Sequence, residues 1–171
     1  MRQRAITKNL KQGFTLVEVL VVLVIISVIV AGVALTISDP GPRQVKQELD
    51  RIRAITLLAR EEAIYQSREY AMTFWRTGYA FMQLDDQGEW QLVEVDKTLK
   101  PYEFPHELQF KDVYLEGVDI LLSTNMEEEP IAFIFSSGEN TPFDIVISKP
   151  DDEHAKRMNI DMLGRAELDQ S

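Results

Sequence analysis

With 171 residues, 45% of them apolar and 27% charged, the chain has material for one modest domain plus some extra, and its composition excludes a disordered chain. A formal charge of −10 opposes general nucleic-acid binding, which runs on clustered Lys and Arg. Without cysteine there is no disulfide framework, no thiolate zinc site and no cysteine nucleophile.

The charges are unevenly placed. Residues 1–13 carry Arg2, Arg4, Lys8 and Lys11 and no acid, whereas 14–37 hold Glu18 as their sole charge. The stretch 19–37 is uncharged, close to the about 20 residues that a helix needs to cross a bilayer. It is rich in Val and Ile, but it is too long for a strand, and a lone spanning strand would leave its backbone unpaired in lipid. The reading is a transmembrane helix over 14–38. The basic flank before it predicts a cytoplasmic N-terminus, with the rest of the chain on the far side.

Asp39-Pro40-Gly41-Pro42 then interrupts the helix, because the prolines remove backbone donors and Pro40 drives Asp39 from the α region. Residues 39–43, with Pro40, Gly41 and Pro42, are expected to form a hinge ahead of a domain spanning 44–171. From Gln44 to about Ser67, Val45, Leu49, Ile52, Ile55 or Thr56, Ala59 and Ala63 recur at three- and four-residue steps. Lys46, Glu48, Asp50, Arg53, Arg60 and Glu61 fall largely elsewhere, which describes an amphipathic helix.

Strands are expected at 70–75, 79–85, 90–95, 108–114, 118–122, 131–135, 143–148 and 157–162. Turn signals lie at Arg76-Thr77-Gly78 and Asp86-Gln87-Gly88-Glu89. Phe143, Ile145 and Ile147 alternate toward one face, as do Met158, Ile160 and Met162. The fold class is α+β, a long N-terminal helix, transmembrane and then amphipathic, whose C-terminal half packs on antiparallel sheets.

Gly13-Phe14-Thr15-Leu16-Val17-Glu18 joins the basic leader to the apolar helix. With these residues the chain resembles the type IV pilin and pseudopilin superfamily. The resemblance implies a pilin-like fold, cleavage after Gly13 by a prepilin peptidase, and N-methylation of the new terminus, Phe14. Gly13 lets a protease approach its backbone closely, since it has no Cβ. A carboxylate in a membrane helix costs about 2.5–3.5 kcal/mol on insertion scales, so Glu18 needs a partner or a purpose. Two readings stand. Glu18 of one subunit pairs with the Phe14 amine of another and sets the stagger of an assembly, or its carboxylate reaches water at the headgroup boundary.

A competing cut lies at Gly32-Val33-Ala34, a small-x-small triplet that would release a soluble domain beginning at Leu35. Against it, the apolar run exceeds the usual 7–15 residues of a secretory signal, and Glu18 goes unexplained.

A second set of motifs narrows the family. Ala59-Arg60-Glu61-Glu62-Ala63-Ile64, Tyr70-Ala71-Met72, Gly78-Tyr79-Ala80-Phe81 and Gly88-Glu89-Trp90 are similar to the H-type minor pseudopilins of type II secretion. So are Phe133-Ile134-Phe135-Ser136-Ser137-Gly138, Thr141-Pro142-Phe143, Ile160-Asp161 and Leu163-Gly164-Arg165-Ala166. Gly138 and Pro142 read locally as turn formers, and Trp75 and Trp90 as core. The resemblance implies a single-pass inner-membrane protein with a periplasmic domain, placed near the tip of a pseudopilus that drives export of folded proteins. Its implied partners are the other minor pseudopilins, the major pseudopilin, the prepilin peptidase, the inner-membrane assembly platform and the secreted exoproteins. The alternative is the FimT-like class of minor type IV pilins. The acidic tail opposes the DNA capture that class can imply, so no nucleic-acid partner is expected.

No enzymatic site is legible. His106 and His154 stand apart, and Ser136-Ser137-Gly138 lacks the form of a nucleophile elbow. The acidic runs 127–129 and 151–153 lack the spaced oxygens and turn glycine of a calcium loop, so neither a metal nor any cofactor is expected.

Overall fold

The computed structural model describes residues 15–34, 41–94, 96, 98–105, 107–150 and 155–169, the side chains of 30–34 excepted. The chain divides between Asp39 and Pro40 into two units. The first contains α1 (Leu16–Ala34), 19 residues in which Glu18 alone is charged. Among the described residues no helix is long and apolar enough to cross a membrane. The span expected over 14–38 takes in position 14 and residues 35–38, which lie outside the described residues, as do His106 and His154.

The second unit opens with α2 (Gly41–Gln66). It begins at Gly41 and not at the expected Gln44, so two of the three expected hinge residues, Gly41 and Pro42, are helical; Pro40 lies outside the described residues. Pro42 is tolerated because the N–H it lacks has no intrahelical acceptor in a first turn, and its fixed φ suits helix entry. Val45, Leu49, Ile52, Ile55, Thr56, Ala59 and Ala63 are buried, the face that the spacing predicts. Full burial of a Leu or Ile contributes about 1.5–3 kcal/mol, so this stripe fixes the rotation of α2 against the sheets. Glu48 departs from the wheel: it is buried, because Tyr102 reaches over it from a later strand. The helix ends in paired reverse hydrogen bonds, Arg68 N–H to Ala63 O at 3.1 Å and Ser67 N–H to Ile64 O at 3.4 Å, with Ser67 at φ 52°.

Ten strands follow: β1 (Tyr70–Trp75), β2 (Gly78–Leu84), β3 (Trp90–Leu92), β4 (Tyr102–Glu103), β5 (Gln109–Leu115), β6 (Val118–Asp119), β7 (Ala132–Ile134), β8 (Phe143–Ser148), β9 (Lys156–Ile160) and β10 (Ala166–Leu168). β4 and β10 are additions to the sequence reading. β4 is two residues long between Pro101 and Pro105, and β10 is visible only through its pairing with β9. β3 and β6 are shorter than expected. β9 stops at Ile160, which leaves Met162 in a turn at 54% exposure in place of the inward position expected for it.

Both sheets are antiparallel. One runs β3-β2-β1-β7 with β4 also on β2, and the other runs β10-β9-β8-β5-β6. They join where Phe110 N–H donates to Arg76 O at 2.9 Å. Phe74 of β1 packs there on Phe110 of β5 and on Phe143 of β8, both at 5.6 Å between ring centroids. β1 is buried on both faces. Its inner residues Tyr70, Met72 and Phe74 enter the core under α2. Beyond β7 its edge is taken by the segment after β6, through Arg76 N–H to Ser123 O, Thr73 Oγ1 to Glu127 O and Ile131 N–H to Met72 O, all at 2.8–2.9 Å. The acidic run at 127–129 therefore rides on a strap that closes the sheet, its side chains in solvent.

Candidate functional site

Two regions carry the residues singled out by sequence. Gly13 and Phe14 lie outside the described residues. Immediately after them, Thr15 accepts the Glu18 N–H on Oγ1 at 3.2 Å, and its carbonyl accepts the N–H groups of Glu18 and Val19 at 3.1 and 3.3 Å. Thr15 is thus the N-cap of α1, and Glu18 sits three positions in, where a carboxylate is favoured by the helix dipole. From Leu16 to Ile29 the large apolar side chains are 44–81% exposed. Ser27, the other hydroxyl in that stretch, returns its proton to Leu23 O at 2.7 Å. A helix apolar on every side has no face for water, so it is stable in lipid or among similar helices.

The second region lies within the globular unit, where the tertiary structure gathers residues scattered through the sequence. Arg60, in the C-terminal third of α2, donates Nε–H to the carbonyl of Gly138 at 2.6 Å, in the loop between β7 and β8. A Cβ on Gly164, in the turn between β9 and β10, would stand 3.1 Å from Arg60 Cδ and 3.0 Å from Asn140 Nδ2. Asn140 is buried and its N–H donates to Met162 O at 2.8 Å, while its side-chain amide meets no partner among the described residues. Glu69, at the entry to β1, grips the same loop with both oxygens, accepting from Ser136 N–H at 2.8 Å and Ser136 Oγ at 2.7 Å. Arg60, Gly138 and Gly164 each belong to a motif that carries the resemblance, and they meet at one junction. Gly138 does more than turn the chain: it has φ 87°, and a Cβ there would come within 3.1 Å of Ile64 and 3.3 Å of Arg60. Sequence reading missed Glu69 and Asn140; the one local signal for them was their position beside quoted motifs.

A third cluster surrounds Glu48. Tyr102 O–H donates to its Oε1 at 3.2 Å, and the Arg51 guanidinium lies 3.8 Å from the centre of the Tyr102 ring and donates to Tyr79 Oη at 3.2 Å. Burial holds the Tyr79 phenol far above its usual range, although Arg51 opposes the shift. Burial, with Glu48 beside it, also raises Tyr102. Both stay neutral phenols at physiological pH, and the cluster clasps β4 to α2. Among the described residues no group of three or more His, Asp or Glu is placed to hold a metal ion.

Residues 8–34 match the family model described as the prokaryotic N-terminal methylation motif. Type II secretion system protein H of Pseudomonas aeruginosa is 31% identical over 142 residues, covering 77% of this chain and 80% of that protein. The Aeromonas hydrophila protein of the same name is 25% identical and covers 94% of each chain. Among solved structures, the minor pseudopilin EpsH of the Vibrio cholerae type II secretion system superposes with a TM-score of 0.60 at 26% identity, covering 74% of this chain and 93% of that one. The solution structure of Escherichia coli GspH, at 15% identity and a TM-score of 0.58, shares the fold over 80% of this chain and 93% of its own. The chain belongs to the type II secretion system protein H family, the H-type minor pseudopilins.

Proposed function

We propose that this chain is made with residues 1–13 as a leader, cut between Gly13 and Phe14 by a prepilin peptidase and methylated on the Phe14 amine. It is then held in the bacterial inner membrane by the helix expected over 14–38, with the α+β unit in the periplasm. In this reading it is a structural subunit near the tip of the pseudopilus, in contact with the other minor pseudopilins, the major pseudopilin and the assembly platform. It serves the export of folded proteins and catalyses nothing.

The observation that carries this is the coincidence, within 8–34, of the methylation motif, the Gly13–Phe14 junction and an apolar helix broken by one charge, Glu18. Once the leader is gone, the Phe14 amine is a cation next to that helix, and Glu18 of a neighbouring subunit neutralises it. The pair sets the stagger between subunits and offsets the cost of carrying a carboxylate in apolar surroundings. The test combines the mass of the N-terminal peptide from the native membrane fraction with co-purification of Glu18→Val. Expected are a chain beginning at N-methylated Phe14 and a variant that is processed and inserted but recovered without partner subunits. A chain beginning at Leu35 in the soluble fraction, or normal co-purification of Glu18→Val, overturns the proposal.

A further inference from the structure

Leu121, in the strap after β6, is 96% exposed, and among the described residues no large apolar side chain stands further out. Its backbone is nevertheless tied down. Ile120 N–H donates to Val113 O at 2.8 Å on one side, Leu122 is buried on the other, and Arg76 N–H donates to Ser123 O at 2.9 Å. Held from both directions, Leu121 cannot fold back onto the sheet. Val118, on the two-residue edge strand β6, is 65% exposed. Apolar surface of this kind is favourable to remove from water, so a partner that covers it gains from doing so. The surroundings are acidic: residues 112–129 hold Asp112, Glu116, Asp119, Glu127, Glu128 and Glu129 and no basic residue. Arg76 and Lys111 line a groove of about 300 Å³ beside Leu121 together with Asp112 and Asp119, so the surplus of negative charge falls to Glu116 and the 127–129 run.

We infer, on the functional reading proposed above, that Leu121 anchors a docking surface for a neighbouring subunit of the same assembly, one that offers an apolar pocket rimmed by Lys or Arg. Charge selects the chemistry of that partner. A second copy of this chain would bring the same acids to the contact, and an anionic lipid surface or a nucleic acid would meet them with like charge. Rigidity selects the kind of partner. Surfaces that take many different proteins are flexible and repack, whereas a leucine held by its backbone is shaped in advance for one pocket. A subunit in fixed register presents one pocket, and a succession of exported proteins does not.

The test uses the full-length chain in native membranes. A benzophenone amino acid replaces Leu121 in one sample and Glu167, exposed on β10, in a control. In further samples Leu121→Ser removes the anchor, and Glu127→Lys, Glu128→Lys and Glu129→Lys together reverse the rim. Because Leu121 buries almost nothing in the free chain, Leu121→Ser should keep the wild-type urea midpoint. It should lose co-purifying subunits roughly tenfold, as truncation of an interface anchor does, and the triple reversal should do the same. Light should join position 121, and not 167, to a peptide of another pilin-type subunit that contains Lys or Arg, in a yield that falls as salt is raised. Unchanged co-purification of Leu121→Ser overturns the inference, as does an equal or absent product at 121 and 167. A product at 121 with a second copy of this chain, with an exported protein or with a peptide lacking basic residues overturns it too. So does a lowered urea midpoint for Leu121→Ser, which assigns the leucine to the fold. A wild-type chain recovered without any other pilin-type subunit removes the functional reading itself, and is told apart because it fails before any substitution is made.

Discussion

Arg60 Nε and the carbonyl oxygen of Gly138 are 2.6 Å apart, and this hydrogen bond ties the C-terminal third of α2 to a loop 78 residues later in the chain. Gly138 is buried, so its carbonyl depends on that donor. Arg60→Met keeps much of the apolar stem and removes the guanidinium. The globular unit should lose about 2 kcal/mol, in the range for a hydrogen bond to a charged group. A urea titration measures it. An unchanged midpoint would mean that another group takes over the carbonyl.

Gly78 and Gly88 should respond differently to alanine. A Cβ on Gly78 would stand 2.3 Å from Tyr102 O and 2.5 Å from the Trp75 ring, so the β2–β4 pairing must give way. Gly88 has φ 84° with nothing near its Cβ position, leaving backbone strain alone. We expect Gly88→Ala to cost about 1 kcal/mol and Gly78→Ala about 3 kcal/mol or more, as overpacking of a buried site does. Equal costs in chemical unfolding would contradict this.

Ser67 holds the left-handed position that closes α2, at φ 52°, where a side chain is strained. Ser67→Gly should raise stability by about 0.5–1 kcal/mol, seen as an increase in thermal midpoint of the globular unit.

Asp161 caps its own turn, accepting from the Arg165 and Leu163 N–H groups at 2.9 Å each and from the Arg165 guanidinium at 2.7 Å. These bonds, the Arg165 N–H first among them, hold its carboxyl below the usual range. A folded value below the unfolded one, about 3.9, means the stabilisation is complete above that value and is lost as pH falls through the folded one. Asp161→Asn should therefore be less stable than the wild type at pH 7, and the gap should close as urea midpoints are measured toward pH 2. A gap that stays constant would place the turn's stability in its neutral hydrogen bonds.

Much of the molecule is legible one segment at a time. The three- and four-residue spacing from Val45 to Ala63 names the buried face of α2, and the alternation of Phe143, Ile145 and Ile147 names the inner face of β8, because one helix or strand repeats its own geometry. The same local logic puts Glu48 on the wrong side. Its burial depends on Tyr102, which reaches it from 54 residues away. Met162 continues the inward alternation on paper, yet the strand ends before it, because Asp161 folds the chain back on Arg165.

What the sequence determined by itself is therefore the division of the chain: a basic N-terminal stretch, an apolar helix carrying one carboxylate, and an α+β unit. Those properties follow from charge and periodicity, which are local. The tertiary structure alone decided that β1 takes β7 as a neighbour, that β5 takes β8, and that Arg60, Gly138, Asn140 and Gly164 meet at one junction. Strand pairing and convergence of this kind come from the register of segments far apart in the chain, and that register is set by packing in three dimensions.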